Sequence, residues 1–367
     1  MSIRDELPAL AGVTYLNAGT NGPMPRAALE AMREELALAV ERPRIGMPAF
    51  EHFLGLRDQV REALARTVAA PPEQIALTNS TTQGVGVVVA GLDWNPGDRV
   101  LTTTEEHQGI RAPLDVISSR YGVDVVEVEA DLLAERIDER TRLVAVSHVL
   151  WTTGRVLDVA ALAAAAHEVG AALLLDGAQS VGAIAVDAPA SGADFYAFSG
   201  QKWLLGPGGS GGLWVAPDWI DRLWTAQAGY LNLVKGEVGT FKDTAARFDA
   251  GTIDTVTLTG IGASLGWVDS QPGGRAGWVE RTAANADGAR RRLADQPGVE
   301  LSTPDGGAGP LIALTVEGRD DPVALAEQLS EQDILVRSIP GTPLLRVSVG
   351  AWTTDEEIDR LATALTA

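Results

Sequence analysis

Between residues 74 and 215 the chain alternates short apolar segments with helical patterns, and that alternation leaves few folds open to it. The apolar segments are Gln74–Thr78, Arg99–Thr103, Val123–Val128, Arg142–Ser147, Ala171–Asp176, Phe195–Ser199 and Gly211–Val215. Helical spacing fills 26–42, 49–69, 81–91, 108–120 and 158–169. Strands separated by helices predict an α/β fold with a mostly parallel seven-stranded sheet covered on both faces. Asp158 precedes an Ala/Leu-rich run as a helix cap, and Gly170 follows it as a stop.

After about residue 255 the texture changes. A helical stretch at 258–296 leads to a strand at Leu311–Val316, a helix at 322–331, strands at 333–338 and 344–349, and a last helix from Thr354. These predict a smaller α+β domain made of residues 1–20 and 258–367, beside a large domain of residues 21–257. No internal repeat or low-complexity linker interrupts the 367 residues.

Composition removes several classes of function. A hydrophobic fraction of 46% with 21% charged residues is that of an ordinary globular protein. A net charge of -20 argues against a nucleic-acid surface, which needs clustered Lys and Arg, while leaving room for a local positive pocket. Without cysteine there is no disulfide and no thiolate metal site. His52, His107, His148 and His167 show no paired ligand spacing, so no metal is expected. The N-terminus carries acids where a signal peptide has an apolar core, and no apolar run reaches the length of a membrane span. A soluble cytoplasmic enzyme is the expectation.

The chemistry gathers at strand ends, where ligands of parallel α/β sheets bind. Lysine occurs only as Lys202, Lys235 and Lys242, and only Lys202 sits between an apolar strand and a Gly-rich loop. Asp176 tips a neighbouring apolar strand, where an unpartnered carboxylate is costly. A lysine amine opposite a buried carboxylate suits pyridoxal 5'-phosphate (PLP): the amine condenses with the aldehyde, and the carboxylate keeps the pyridine nitrogen protonated. Gln179 is placed to reach the phenolic oxygen, although it also reads as a polar turn residue. His107, past the strand ending at Thr103, can stack on the ring and carry protons, or simply start a helix.

Thr81 and Thr82 open a helix after a strand, an anion-binding arrangement that also reads as a simple capped start. Ser199 and Gln201 flank the lysine and can complete a phosphate cradle. Arg346 stands out as a charge in the apolar strand Leu344–Val349 and is the candidate for a substrate carboxylate, with Arg337 second. Trp151 follows the strand ending at Ser147.

These blocks resemble the class V aminotransferase group of fold-type I PLP enzymes, nearly end to end. The most specific pieces are Asp176-Gly177-Ala178-Gln179-Ser180, Ser199-Gly200-Gln201-Lys202-Trp203 and the pair Glu106-His107. The resemblance implies that Lys202 anchors the cofactor, Asp176 partners the pyridine nitrogen, Gln179 the phenolic oxygen, and His107 stacks on the ring. Thr81, Thr82, Ser199 and Gln201 become phosphate ligands, Gln201 standing where many members carry His. In this family a Gly-Thr segment reaches the phosphate from the neighbouring subunit. The match here is Gly251-Thr252, which implies a homodimer with shared sites.

Within the group, Tyr15-Leu16-Asn17 and Ser147-His148-Val149-Leu150-Trp151-Thr152-Thr153-Gly154 look most like cysteine/cystine C–S lyases. That likeness puts Asn17 and Trp151 beside Arg346 in the substrate pocket. Desulfurases need a mobile-loop cysteine to accept sulfur, and this chain has none. The implied reaction is β-elimination on cystine or an S-substituted cysteine, giving pyruvate, ammonia and a thiol or persulfide. Transamination and epimerisation start from the same proton removal and remain open, and a non-catalytic relative is the rival from another class.

Overall fold

The structure, a computed structural model, describes residues 3–366. Its strands are β1 (Thr14–Tyr15), β2 (Ile75–Thr78), β3 (Arg99–Thr103), β4 (Asp124–Val128), β5 (Thr141–Ser147), β6 (Ala172–Asp176), β7 (Phe195–Ser199), β8 (Gly211–Val215), β9 (Val299–Leu301), β10 (Leu311–Val316), β11 (Ile334–Leu335), β12 (Arg337–Ser338) and β13 (Leu345–Ser348). The helices are α1 (Arg26–Glu41), α2 (Met47–Thr67), α3 (Thr81–Gly91), α4 (Gln108–Tyr121), α5 (Leu133–Arg136), α6 (Val159–Glu168), α7 (Pro217–Ile220), α8 (Thr255–Asp269), α9 (Gly274–Ala294), α10 (Pro322–Ser330) and α11 (Asp355–Thr366).

The main sheet has seven strands in the order β2-β8-β7-β6-β5-β3-β4, parallel except for β8, which runs antiparallel to both neighbours. Its inner strands are apolar on both faces because both faces are covered, whereas the edge strand β4 exposes Asp124 and Glu127. In β6, Leu173 and Leu175 enter one core cluster with Val60, Leu64, Leu162 and Ile261, while Ala172 and Leu174 enter another with Val85, Ile110 and Leu114. That two-residue alternation is the pleat of the strand. Asp158 caps α6 by accepting from Ala161 N, and Gly170 follows that helix at φ +77°.

A four-stranded antiparallel sheet, β12-β13-β10-β9, packs under α9, α10 and α11 around Ile312, Leu314, Leu345 and Val347. Two readings of this region change in detail. The single helical stretch at 258–296 is two helices, because Gly273 and Gly274 take left-handed φ values of +78° and +60°. The strand at 333–338 divides at Val336, since β11 pairs with β1 and β12 with β13. Helix α8 packs on α1 and α2, alongside the main sheet.

The N-terminal segment ties the two sheets together. Thr14 and Leu16 donate to Asp333 O and Leu335 O, and Leu16 O accepts from Ser348 N at 2.8 Å. The chain then crosses to the lysine loop, where Gly22 N donates to Gln201 O at 2.8 Å. A Cβ at Gly22 would lie 2.1 Å from Lys202 O, so only glycine lets this strap approach the loop so closely.

Asp249, 2% exposed, anchors the segment before Gly251. It accepts from Arg57 at 2.6 Å, from Arg61 at 2.8 and 3.0 Å, and from Leu77 N at 2.8 Å. Removing one partner of such a buried cluster leaves charge unpaired. Asp249→Ala is expected to lower unfolding free energy by about 3–5 kcal/mol in a urea titration; a loss below about 1 kcal/mol, the range of exposed pairs, would show the cluster to be dispensable.

Candidate active site

The carboxyl ends of β5, β6 and β7 open onto a cleft of about 210 Å³. Asp176, at the end of β6, accepts from Ala178 N at 2.8 Å. Burial raises its pKa, and the nearby Lys202 ammonium pulls it back down. The same exchange acts on Lys202: burial lowers it from 10.5 to about 8, Asp176 opposes the fall, and Arg346 and Arg337 add to it. A lysine so displaced has an appreciable neutral fraction near neutral pH, as a nucleophile or base requires.

His107 caps α4, its Nδ1 accepting from Gly109 N at 3.0 Å. The neutral ring therefore carries its proton on Nε2. Burial is the main cause holding its pKa below the usual value, followed by Lys202, Arg337 and Arg346. The ring meets Trp151 edge-on, with centroids 5.1 Å apart.

Arg346 is 1% exposed on β13 and donates from Nη1 to Trp151 O at 2.8 Å, while Nε and Nη2 have no hydrogen-bond partner among the described residues. Its cross-strand neighbour is Arg337. Burial first, and Arg337 second, lower Arg346 to about 9, so the guanidinium stays charged at neutral pH. Two cations side by side with free donors call for an anion.

Thr81 Oγ1, Ser199 Oγ and Gln201 Oε1 are likewise buried without hydrogen-bond partners among the described residues. They lie around the start of α3, where Ser80 caps the helix by accepting from Gln83 N. Unpaired hydroxyls at a helix N-terminus fit a phosphate. The donor set as a whole fits PLP: an amine for the aldehyde, a buried carboxyl for the pyridine nitrogen, a flat ring in His107, and a neutral cradle for the phosphate.

The cleft thus brings together Lys202, Asp176, His107, Gln179, Thr81, Thr82, Ser199, Gln201, Trp151 and Arg346, and adds Arg337. Asn17 does not line it; its Oδ1 accepts from Thr20 Oγ1 at 2.8 Å. Thr252 is exposed and lies outside the cleft of its own chain. His148 is buried against the Tyr196 hydroxyl, and burial lowers its pKa to about 4. Sequence reasoning missed Gly19, Thr20 and Ser147 as lining residues. Ser147 ends a predicted strand, and the strand-end rule alone could have found it.

The aminotransferase class-V family model matches residues 14–361. The chain belongs to the aminotransferase class-V family. As a member it is a PLP-dependent enzyme, and the fold is that of fold-type I. The isopenicillin N epimerase of Streptomyces clavuligerus is 32% identical, over 97% of this chain and 94% of that protein. The probable cysteine desulfurase of Pseudomonas aeruginosa is 31% identical, over 97% of this chain and 94% of that protein. Among solved structures, the cystine C–S lyase C-DES in complex with its reaction product cysteine persulfide superposes with a TM-score of 0.93 at 31% identity, covering 98% of each chain. A C-DES mutant with glycine covalently linked to its PLP cofactor gives 0.94 at 30% identity, over 100% of this chain and 99% of that one.

Behind the class-V cleft, Glu106 is buried and accepts from Thr103 Oγ1 at 2.9 Å, Ser147 N at 2.9 Å and Ser147 Oγ at 2.5 Å. Burial raises it from 4.5 to about 7; Asp176 adds to the rise and the Ser147 and Thr103 donors oppose it. The folded state therefore holds this proton more tightly than the unfolded chain. The resulting stability is fully present below pH 4.5 and is lost as pH rises through about 7. Its size is roughly 3 kcal/mol across that window. Glu106→Gln is expected to remove this component, so unfolding free energy measured in urea should change more favourably from pH 4.5 to 7 than in the parent. Identical pH slopes for the two proteins would contradict it.

Proposed function

We propose that this enzyme is a C–S lyase that performs β-elimination on cystine or an S-substituted L-cysteine. The observation that carries the reading is a low-pKa lysine facing a partly unpaired buried arginine, in a chain with no cysteine at all. The likeness to C-DES along the whole chain supports it.

Bound PLP supplies an electron sink for negative charge developing at the substrate Cα. Asp176 holds the proton on the pyridine nitrogen that makes the sink effective. The orphaned Nε and Nη2 of Arg346 take the substrate α-carboxylate, with Arg337 reinforcing the positive field. Lys202 removes the Cα proton as an amine and holds it as an ammonium. Loss of the β-sulfur then yields a thiol or, from cystine, a persulfide. Water completes the release of pyruvate and ammonia. Trp151 shapes the pocket for the sulfur substituent, and no protein thiol takes part.

Two further features belong to the proposal. The enzyme acts as a cytoplasmic homodimer, and Thr252 reaches the phosphate of its partner's cofactor. A second reading, epimerisation, is favoured by the similarity to isopenicillin N epimerase. There the proton taken by Lys202 is replaced on the opposite face of Cα.

Incubating the yellow holoenzyme with cystine and a panel of S-substituted cysteines is expected to release pyruvate in equal amount with thiol or persulfide. Accumulation of the pyridoxamine form without pyruvate would instead identify transamination, and stereochemical inversion alone would identify epimerisation. Lys202→Ala should abolish turnover. Arg346→Ala should lower kcat/KM about a hundredfold or more, as loss of one partner of a buried charge pair does; an unchanged kcat/KM would remove Arg346 from the carboxylate site.

A further inference from the structure

Gln179 is fastened at both ends of its amide. Its Oε1 accepts from Trp203 Nε1 at 2.9 Å, and its Nε2 donates to Gly19 O at 2.8 Å, both bonds being buried. An indole N–H can only donate and a carbonyl can only accept. Turning the amide over would set NH2 against the indole N–H and oxygen against the Gly19 carbonyl. Two buried hydrogen bonds would become two repulsive contacts. The orientation of Gln179 is therefore fixed by chemistry.

Trp203 is itself immobile. It is 2% exposed and packed in a cluster with Leu7, Ala18, Val149 and Leu311. Gly182 lies so near that a Cβ there would be 2.7 Å from Trp203 O. Trp203 does not line the cleft, whereas Gln179 does. With its oxygen engaged by Trp203 and one N–H by Gly19, the donor left to Gln179 is its second N–H.

We propose that Trp203 is a positioning residue that makes Gln179 present an N–H, and not its carbonyl, to the cleft. An acceptor opposite would then complete the hydrogen bonding of the amide's N–H groups. This rests on the reading that Gln179 faces the phenolic oxygen of PLP. A donor held there stabilises the anionic oxygen and lowers the proton affinity of the bound cofactor. An amide free to turn would spend part of its time presenting oxygen to oxygen. Because Trp203 follows Lys202 directly, one loop carries both the covalent anchor of the cofactor and the group that orients its oxygen partner.

The test follows the pH midpoint of the visible absorbance band of bound cofactor in the holoenzyme, for Trp203→Phe, Gln179→Ala and the double variant. Each single change is expected to raise the midpoint by about one pH unit, the size of one lost hydrogen bond. Within the Gln179→Ala background, Trp203→Phe should add nothing, since Trp203 acts only through Gln179. A midpoint unmoved by Trp203→Phe but raised by Gln179→Ala overturns the role of Trp203 and spares the Gln179 reading. A Trp203→Phe shift equal in both backgrounds also overturns it, because the effect then bypasses Gln179. No shift in Gln179→Ala overturns both readings. Should the Phe variant fail to fold, benzothienylalanine at position 203 replaces the N–H by sulfur at nearly constant ring volume, and the same outcomes apply.

Discussion

Asp176 and Lys202 support each other's charge in a place where burial works against both. Burial pushes the carboxyl up and the amine down, and each charge partly reverses the shift of the other. The pair stands at the ends of adjacent parallel strands, β6 and β7, whose side chains are buried throughout. A buried pair of this kind adds little to stability, since desolvation offsets the attraction. Its value is chemical. The surrounding sheet supplies the rigidity that keeps two costly groups in register.

The rest of the cleft is assembled around that pair by elements far apart in sequence. Arg337 and Arg346 come from the four-stranded sheet, and the strap from Thr14 to Gly22 carries that sheet onto the lysine loop. Gly19 lies under the guanidinium of Arg346, where a Cβ would sit 2.8 Å from Nη2. Its carbonyl meanwhile takes the amide of Gln179. One backbone segment thus sets the distance between Arg346 and Gln179 across the cleft. A shift of the strap would be felt at both.

The parallel sheet was legible in the sequence because its strands are short apolar runs ending in polar residues, and Asp176 and Ser199 announce themselves at such ends. Arg346 was legible for the same reason, as a charge in an apolar strand. What escaped depends on close approach of backbones. Gly19 contributes a carbonyl, which no residue type encodes, and Thr20 lies on a segment with no periodicity to read. Strand β9 has only three residues and pairs through its backbone with β10. The two halves of 333–338 read as one apolar run because the change of partner at Val336 is a tertiary event.

The global charge and the local field have opposite signs, and this bears on what can bind. The chain carries a net charge of -20, yet Lys202, Arg337 and Arg346 meet in one cleft against Asp176, with Glu106 buried behind it. Surface carboxylates are screened over about 8–10 Å at ordinary ionic strength, whereas charges inside a cleft are screened far less. An amino acid arriving there meets the two arginines and not the average of the surface. The lining around the start of α3 is neutral by contrast. Thr81, Ser199 and Gln201 bring no cation to their part of the cleft, so its positive charge is concentrated at Lys202, Arg337 and Arg346.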